Sequence, residues 1–465
     1  MQRWIYRCGS SGPSPPRMPC LDPQKKKQKY THQRSITMQS NTPIAVPTEL
    51  HRKSRLADHW IAQADLPSIC AQTGTPVFIY SEAQLVRNIR RVKSAISAAG
   101  LDGRVSIFVP FFPNANPHIL KPLRDEGAGI LLQMPNEYKL ITQYGFSDFI
   151  VSPGHVSNEE IAFWSKKHYP VFLASLDEIA YAIRENAPTI SVRIDSLGSD
   201  KPGIKVDQLG SLAQMLSASD RTLECFEVYC GSGNSLQGMI DIARQIFRMY
   251  LDHFPTARSI NFAGGHGFNY EKWSETEKHF DWTTYFQAIR DLATEMKIPE
   301  TVKFMFEPGR DVLADAGVLL TGIKRDIVQH SLGNIVVTDG SRMLMPSAQL
   351  RNRSHNTVFL DSAFNEVVDY SKRCSAKVRG RSILRNDYIL PGEVVAPGTI
   401  KAGEYMLILD VGAYCATQHM EFLNVPPAGE VLVEADGTIY MVTKPGNDLD
   451  KWRNLLPERQ LLAGA

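Results

Sequence analysis

From Thr75 onward the apolar residues follow two spacings that alternate along the chain. Residues 76–80 form a short apolar run, and Ser81 then caps a segment in which Leu85, Val86, Ile89, Val92 and Ile96 recur at helical spacing. Eight further short runs, rich in apolar or β-branched residues, fall at 105–109, 129–132, 149–152, 171–174, 189–194, 223–229, 260–263 and 302–306. Each of the first seven precedes a helix-like stretch, for example 136–144, 158–167, 176–185 and 239–253. Asp177 and Glu178 sit in a first turn, where carboxylates favour the helix dipole.

Eight buried strands alternating with helices predict an α/β fold built on a parallel (β/α)8 barrel, with a doubly wound open sheet as the alternative. Beyond Gly317 the texture changes to strands without long helices, at 318–323, 334–338, 357–360, 406–410, 430–433 and 438–442. Gly, Pro, Asn and Asp separate them, which predicts a C-terminal antiparallel β-domain. The expected division is a basic tail over 1–37, an N-terminal segment over 38–80 whose strand joins the β-domain, a barrel over 81–316, and a β-domain with its tail over 317–465.

Composition changes this picture only at the N-terminus. The 465 residues are 43% hydrophobic and 22% charged, ordinary for a globular chain. The net charge of +2 hides an asymmetry. Residues 1–37 carry eight Lys or Arg against Asp22 alone, a balance of +7 that leaves −5 for the remainder. A mildly acidic body gives no reason to expect nucleic acid, and the basic stretch reads as a disordered tail, or as an upstream extension with Met38 as the true start. No run is of signal-peptide or membrane-spanning character, so a cytoplasmic location is expected. The seven cysteines include no Cys-x-x-Cys pair, and His118, His155, His266 and His419 have no ligand spacing, so no metal site is expected.

Candidate chemistry concentrates where strands end. The run 304–306 stops at Glu307-Pro308-Gly309-Arg310, placing a carboxylate, a glycine and a guanidinium at the carboxyl end of the eighth strand, where barrel sites form. Such a pair suits a ligand with a protonated ring nitrogen and a phosphate; it is also what a local ion pair closing a strand would look like. The two preceding strands run into Tyr229-Cys230-Gly231-Ser232-Gly233 and Gly264-Gly265-His266-Gly267. Three such strand ends side by side form an expected phosphate cup; otherwise they are ordinary tight turns.

These motifs, followed by Ala314-Asp315-Ala316-Gly317-Val318 and by Asp410-Val411-Gly412-Ala413-Tyr414, resemble the pyridoxal-phosphate decarboxylases of the diaminopimelate, ornithine and arginine type (fold type III). The likeness runs from about Thr75 to Gly446. It implies an alanine-racemase-like barrel with a β-domain and a dimer, either with itself or with a paralogue. It also implies that Glu307 faces the pyridine nitrogen, that Ser232, Gly265, Gly309 and Arg310 hold the phosphate, and that Tyr414 lies near the cofactor.

Several positions depart from the resemblance. The family's Schiff-base lysine falls at Phe112, and its ring-stacking histidine at Tyr229. Its substrate-binding Arg-Pro becomes Met345-Pro346, and the Cys-Glu pair it lends to the partner subunit falls near Ile389-Leu390. A phenyl ring cannot form an imine. The nearest lysines, Lys93 and Lys121, belong to helix-like segments, and Lys201 follows the fifth strand. Cys230 and Cys415 read as small packed residues. The expected ligand is a small amino-acid-like or phosphorylated molecule, with pyridoxal phosphate held non-covalently. Three readings follow: a ligand-binding or regulatory protein without the chemistry; a carboxy-lyase of altered mechanism; and an ordinary decarboxylase with its lysine elsewhere.

Overall fold

The computed structural model describes residues 54–195, 201–331, 333–447 and 454. The basic tail and Met38 lie outside them. The barrel and the β-domain belong to one compact unit.

The strands, in chain order, are β1 (Val77–Ser81), β2 (Val105–Pro110), β3 (Gly129–Leu132), β4 (Phe149–Val151), β5 (Phe172–Leu173), β6 (Ile190–Asp195), β7 (Ile204–Lys205), β8 (Leu223–Val228), β9 (Ser259–Asn261) and β10 (Lys303–Phe306). After them come β11 (Gly317–His330), β12 (Gly333–Thr338), β13 (Thr357–Leu360), β14 (Arg373–Arg379), β15 (Tyr388–Pro397), β16 (Tyr405–Ile408), β17 (Gly429–Val433) and β18 (Ile439–Thr443). Each of the eight barrel runs expected from the sequence is a strand; the short β7, which pairs with β6, was not anticipated.

The barrel sheet runs β4-β3-β2-β10-β9-β8-β6-β5, all parallel, and a bridge between Val151 and Val171 brings its ends together. Helices form because their apolar stripes have this sheet to cover. In Glu82–Ala98, Ser81 caps the first turn by accepting from the Gln84 amide at 3.2 Å, while Leu85, Ile89, Val92 and Ile96 are buried. Strand alternation then divides the barrel side chains. Ile107 and Val109 pack with the helical layer, whereas Phe108, Leu131, Ile150, Phe172 and Cys225 form a separate cluster, against which Phe112 and Met305 pack. That cluster fills the barrel interior. A Cβ on Gly129 would fall 2.4 Å from the Phe108 ring, so the strand beside Phe108 has no room for a side chain there.

The second sheet has nine strands and is mostly antiparallel, in the order β15-β14-β12-β11-β1-β17-β18 with β16 and β13 off β11. It is mixed rather than purely antiparallel, because β1 runs parallel to β17 and β12 parallel to β14. The sequence analysis missed β14 and β15. Their burial alternates irregularly, Lys and Arg occupy β14, and Pro391-Gly392 interrupts β15, so neither shows a clean period of two. Ile389 and Leu390, proposed as equivalents of a pair reaching a partner subunit, are instead buried within β15 and face this chain's own core. No helix among the described residues is long and apolar enough to cross a membrane.

Candidate active site

The period of two that fills the barrel floor places a polar layer directly above it. Two residues beyond Cys225 on β8 is Glu227; the register sets Glu227 opposite Arg193 of β6 on one side and opposite Asn261 of β9 on the other. Arg193, Glu227 and Asn261 therefore stand side by side on neighbouring strands. Glu307, two residues beyond Met305, continues the row. Glu227 is fully buried and takes a 2.6 Å hydrogen bond from the Ser152 hydroxyl and another from the Arg193 guanidinium, which also donates to Ser152 at 3.0 Å. Asn261 donates to Glu307 Oε1 at 2.6 Å. Burial, followed by the field of Glu227, holds the Glu307 carboxyl well above the usual carboxylate range, outweighing Asn261 and Arg193. Burial and the neighbouring carboxylate thus favour the neutral form of Glu307.

Above this layer lies a cavity of about 310 Å3. Phe112, Tyr229, Ser232, Gly265, Glu307, Gly309, Arg310 and Tyr414, all singled out in the sequence, line it together. The fold brings them from four strand ends and the β-domain.

The turns after β8 and β9 lock into one another. The Asn234 amide donates to the Gly265 carbonyl at 3.0 Å, and a Cβ on Gly265 would lie 2.2 Å from the Gly231 carbonyl. Gly265 also has φ +103°, so glycine is required there on two counts. The Ser232 hydroxyl lies 2.7 Å from that of Tyr229. Arg310 begins the short helix Arg310–Leu313; its Nε is buried without a hydrogen-bond partner, while its guanidinium lies 5.1 Å from the centre of the Tyr414 ring. A buried guanidinium N–H left unpaired beside a glycine cradle and a hydroxyl fits an anionic ligand oxygen.

Tyr414 reaches the cavity from the loop after β16. Its amide donates to the Pro113 carbonyl at 2.7 Å, and Asn114 donates to Gly412 at 3.1 Å, so the loop after β2 carries the β-domain segment. A Cβ on Gly412 would meet the Leu313 carbonyl at 1.9 Å. Asp410 and Tyr414 both hold left-handed backbone, φ +61° and +62°, a conformation retained only where the surroundings impose it. Asp410 is fixed by a buried ion pair with Lys278 at 2.7 Å, and burial raises its carboxyl to about 6.

Behind Arg310 lies a pair of carboxylates that the sequence analysis did not single out as a unit. Both His279 ring nitrogens bond to acids, Asp311 at 3.0 Å and Asp315 at 2.9 Å, and the imidazole therefore donates twice. Burial works against its charge, but the two carboxylates lift its pKa to about 9. Arg91 and the Trp282 indole also bond Asp311, and with His279 they overcome the cost of burial to hold it down at about 2.

The three lysines fall differently. Lys121 pairs with Asp125 at 2.6 Å on the surface, and Lys93 is exposed and donates to the Glu126 carbonyl. Lys201 lines the cavity, with Nζ 3.9 Å from the centre of the Tyr229 ring. His266 is buried among aromatic rings, with the Trp282 centroid at 4.2 Å, and both its nitrogens lack a partner; burial lowers its pKa to about 3. That is a packed, neutral turn residue. Among the described residues no group of three His, Cys, Asp or Glu is arranged to hold a metal.

Arg193, Glu227 and Asn261 were not anticipated. Each is a polar residue within a barrel strand, on the parity that points into the barrel; reading that parity through each strand would have found them.

No protein-family model matches the chain. Among curated proteins it is similar to the diaminopimelate decarboxylase of Thermoplasma acidophilum, 22% identical over 405 residues covering 83% of this chain and 94% of that one. The enzyme of the same name from Zymomonas mobilis is 24% identical, covering 80% and 90%. Among solved structures, diaminopimelate decarboxylase from M. jannaschii in co-complex with L-lysine superposes with a TM-score of 0.73 at 17% identity, covering 84% and 94% of the two chains. The lysine/ornithine decarboxylase from Vibrio vulnificus complexed with cadaverine gives 0.67 at 16% identity, covering 79% and 97%. Over most of its length the chain is similar in sequence to diaminopimelate decarboxylases and shares the alanine-racemase-like fold of the solved ones, a likeness that supports the fold-type III pyridoxal-phosphate decarboxylase family.

Proposed function

We propose that this chain is a carboxy-lyase of amino acids that uses pyridoxal phosphate without a lysine at the end of the first barrel strand. The observation that carries the reading is the unpaired, buried Arg310 Nε beside the Gly231/Gly265 cradle and Ser232, with the buried Glu307 carboxyl on the same cavity. A structural strand end would have closed that guanidinium on a carboxylate. The similarity to curated proteins named decarboxylases supports the same reading.

When bound, pyridoxal phosphate supplies the electron sink for the carbanion left as a bond to the substrate α-carbon breaks. The remaining work falls to this chain. Arg310, Ser232 and the Gly265 and Gly309 turns would grip the phosphate, and the Glu307 carboxyl would face the ring nitrogen. Tyr229 offers an aromatic face to the ring. Tyr414, fastened over the mouth by Pro113, excludes water from that side.

A second reading rests on Phe112: a ligand-binding or regulatory protein, as a homodimer or paired with a paralogue, in which the phosphate site serves recognition alone. One experiment separates the two. Purified protein is titrated with pyridoxal phosphate by absorbance, assayed for carbon dioxide release from a panel of amino acids, then reduced with borohydride and mapped by peptide mass spectrometry. Saturable binding with carbon dioxide release is expected. Binding without release from any amino acid supports the second reading, and absence of binding overturns both.

A further inference from the structure

The acids and bases around the cavity do not balance. Five cationic residues, Arg193, Lys201, Arg310, Arg351 and Arg353, line it against two acidic ones, Glu307 and Asp311. Both acids are already committed. Glu307 accepts from Asn261, while Asp311 is shared among Arg91, His279 and the Trp282 indole. Arg193 is neutralised by Glu227. Among the described residues, no carboxylate bonds to the guanidinium of Arg310, Arg351 or Arg353.

Arg351 and Arg353 belong to the loop that leaves the helix Pro346–Leu350. Backbone bonds from the Arg351 amide to Ser347 at 3.0 Å and from the Arg353 amide to Ala348 at 2.8 Å fold this loop back over the helix end, towards the cavity. Arg353 lies over the Tyr270 ring at 4.6 Å, which fixes its plane. Burial, with the fields of Arg310 and Arg351, holds its pKa below the ordinary value, so these three cations stand close enough to oppose one another. A phosphate gripped at Arg310 offsets about two of these charges. The guanidiniums on the β-domain side are left facing the space beyond, where the side chain of a bound amino acid would extend.

Resting on the proposed use of pyridoxal phosphate and an amino acid, we infer that the cavity selects amino acids whose side chain ends in a carboxylate, with Arg351 and Arg353 as the residues that read it. A paired guanidinium suits a carboxylate, held in a bidentate fork. A side chain ending in an ammonium meets like charge and finds no free acid among the described residues, and a neutral one leaves the guanidiniums unpaired. This chain would therefore disfavour lysine, the ligand seen in the M. jannaschii complex.

The test is calorimetric titration of the full chain, with and without pyridoxal phosphate, using three six-carbon amino acids that differ at the far end: L-2-aminoadipate, L-norleucine and L-lysine. The expected order is 2-aminoadipate tightest, norleucine about tenfold weaker and lysine weaker still, since one charge-assisted pair is worth about 1.5–3 kcal/mol. Arg351→Ala, at an exposed position that leaves folding intact, and Arg353→Gln should each cost 2-aminoadipate about tenfold and leave norleucine and pyridoxal-phosphate affinity unchanged. Lysine or norleucine binding as tightly as 2-aminoadipate overturns the inference even where pyridoxal phosphate binds, and so does a pair of variants that keep the preference. Failure of pyridoxal phosphate to bind sinks the functional proposal alone. The unloaded titration then decides the arginine assignment: preference for 2-aminoadipate upholds it, and indifference overturns it.

Discussion

The wall of the cavity built from β8, β9 and β10 and the wall built from β2 and the β-domain differ in how their charges are settled. On the first wall every buried charge has a partner except one atom. Glu227 is satisfied by Ser152 and Arg193, Glu307 by Asn261, and only Arg310 Nε is left open. On the second, a phenyl ring occupies the place where the resemblance implies an amine, and among the described residues no carboxylate bonds to the two guanidiniums of Arg351 and Arg353. The first wall is organised to hold one anion in one place. The second governs what lies next to that anion.

The comparison is broken most severely at Gly265. Gly265→Ala drives a methyl into the Gly231 carbonyl in left-handed backbone and should cost about 2–4 kcal/mol of stability, with pyridoxal-phosphate binding lost; thermal unfolding and absorbance titration read both. Arg310→Ala leaves the fold in place and removes the buried guanidinium whose Nε is unpaired. A loss of about ten- to hundredfold in pyridoxal-phosphate affinity is expected, and an unchanged affinity would remove the first wall from the site. Phe112→Lys sharpens the comparison from the other side, because it restores an amine where the second wall has none. A borohydride-stable pyridoxyl group should then map to position 112; its absence would mean that the end of β2 does not face the bound aldehyde.

A smaller effect comes from behind Arg310. His279 has its pKa raised from 6.5 to about 9 by Asp311 and Asp315, so its contribution to stability is complete below about pH 6.5 and fades as pH rises through 9. The Tm should fall across that window, and His279→Gln should flatten the fall. Least of all, Glu307→Gln should raise the Tm slightly at pH 8, because a buried carboxyl with an elevated pKa loses stability once the solution lies above the ordinary carboxylate range.

Much of the fold was legible because burial on a parallel barrel leaves short apolar runs whose spacing needs no long-range information; all eight appear where the pattern placed them. The β-domain was less legible. β14 and β15 carry charged residues and an internal Pro-Gly, and their places in the sheet come from pairing with each other and with β12. Glu307, Arg310 and the glycine turns stood out because strand ends with glycine and charge are rare within apolar runs. Arg193, Glu227 and Asn261 did not, since a single polar residue in a strand means little until register sets it beside another. Arg351 and Arg353 carry no motif that sets them apart in the sequence.

The sequence by itself determined the alternation of strands and helices, the glycine turns at three strand ends and the presence of phenylalanine where an amine was expected, because these are properties of neighbouring residues. Only the tertiary structure decided that the carboxyl at the end of β10 has its pKa raised by burial and by a carboxylate on β8. It alone showed that one imidazole is held charged between two acids and that arginines from the β-domain face a phosphate-sized cradle on the barrel. Each of these depends on electrostatic fields and burial between groups far apart in the chain, and such fields take their sign and strength from distance in space.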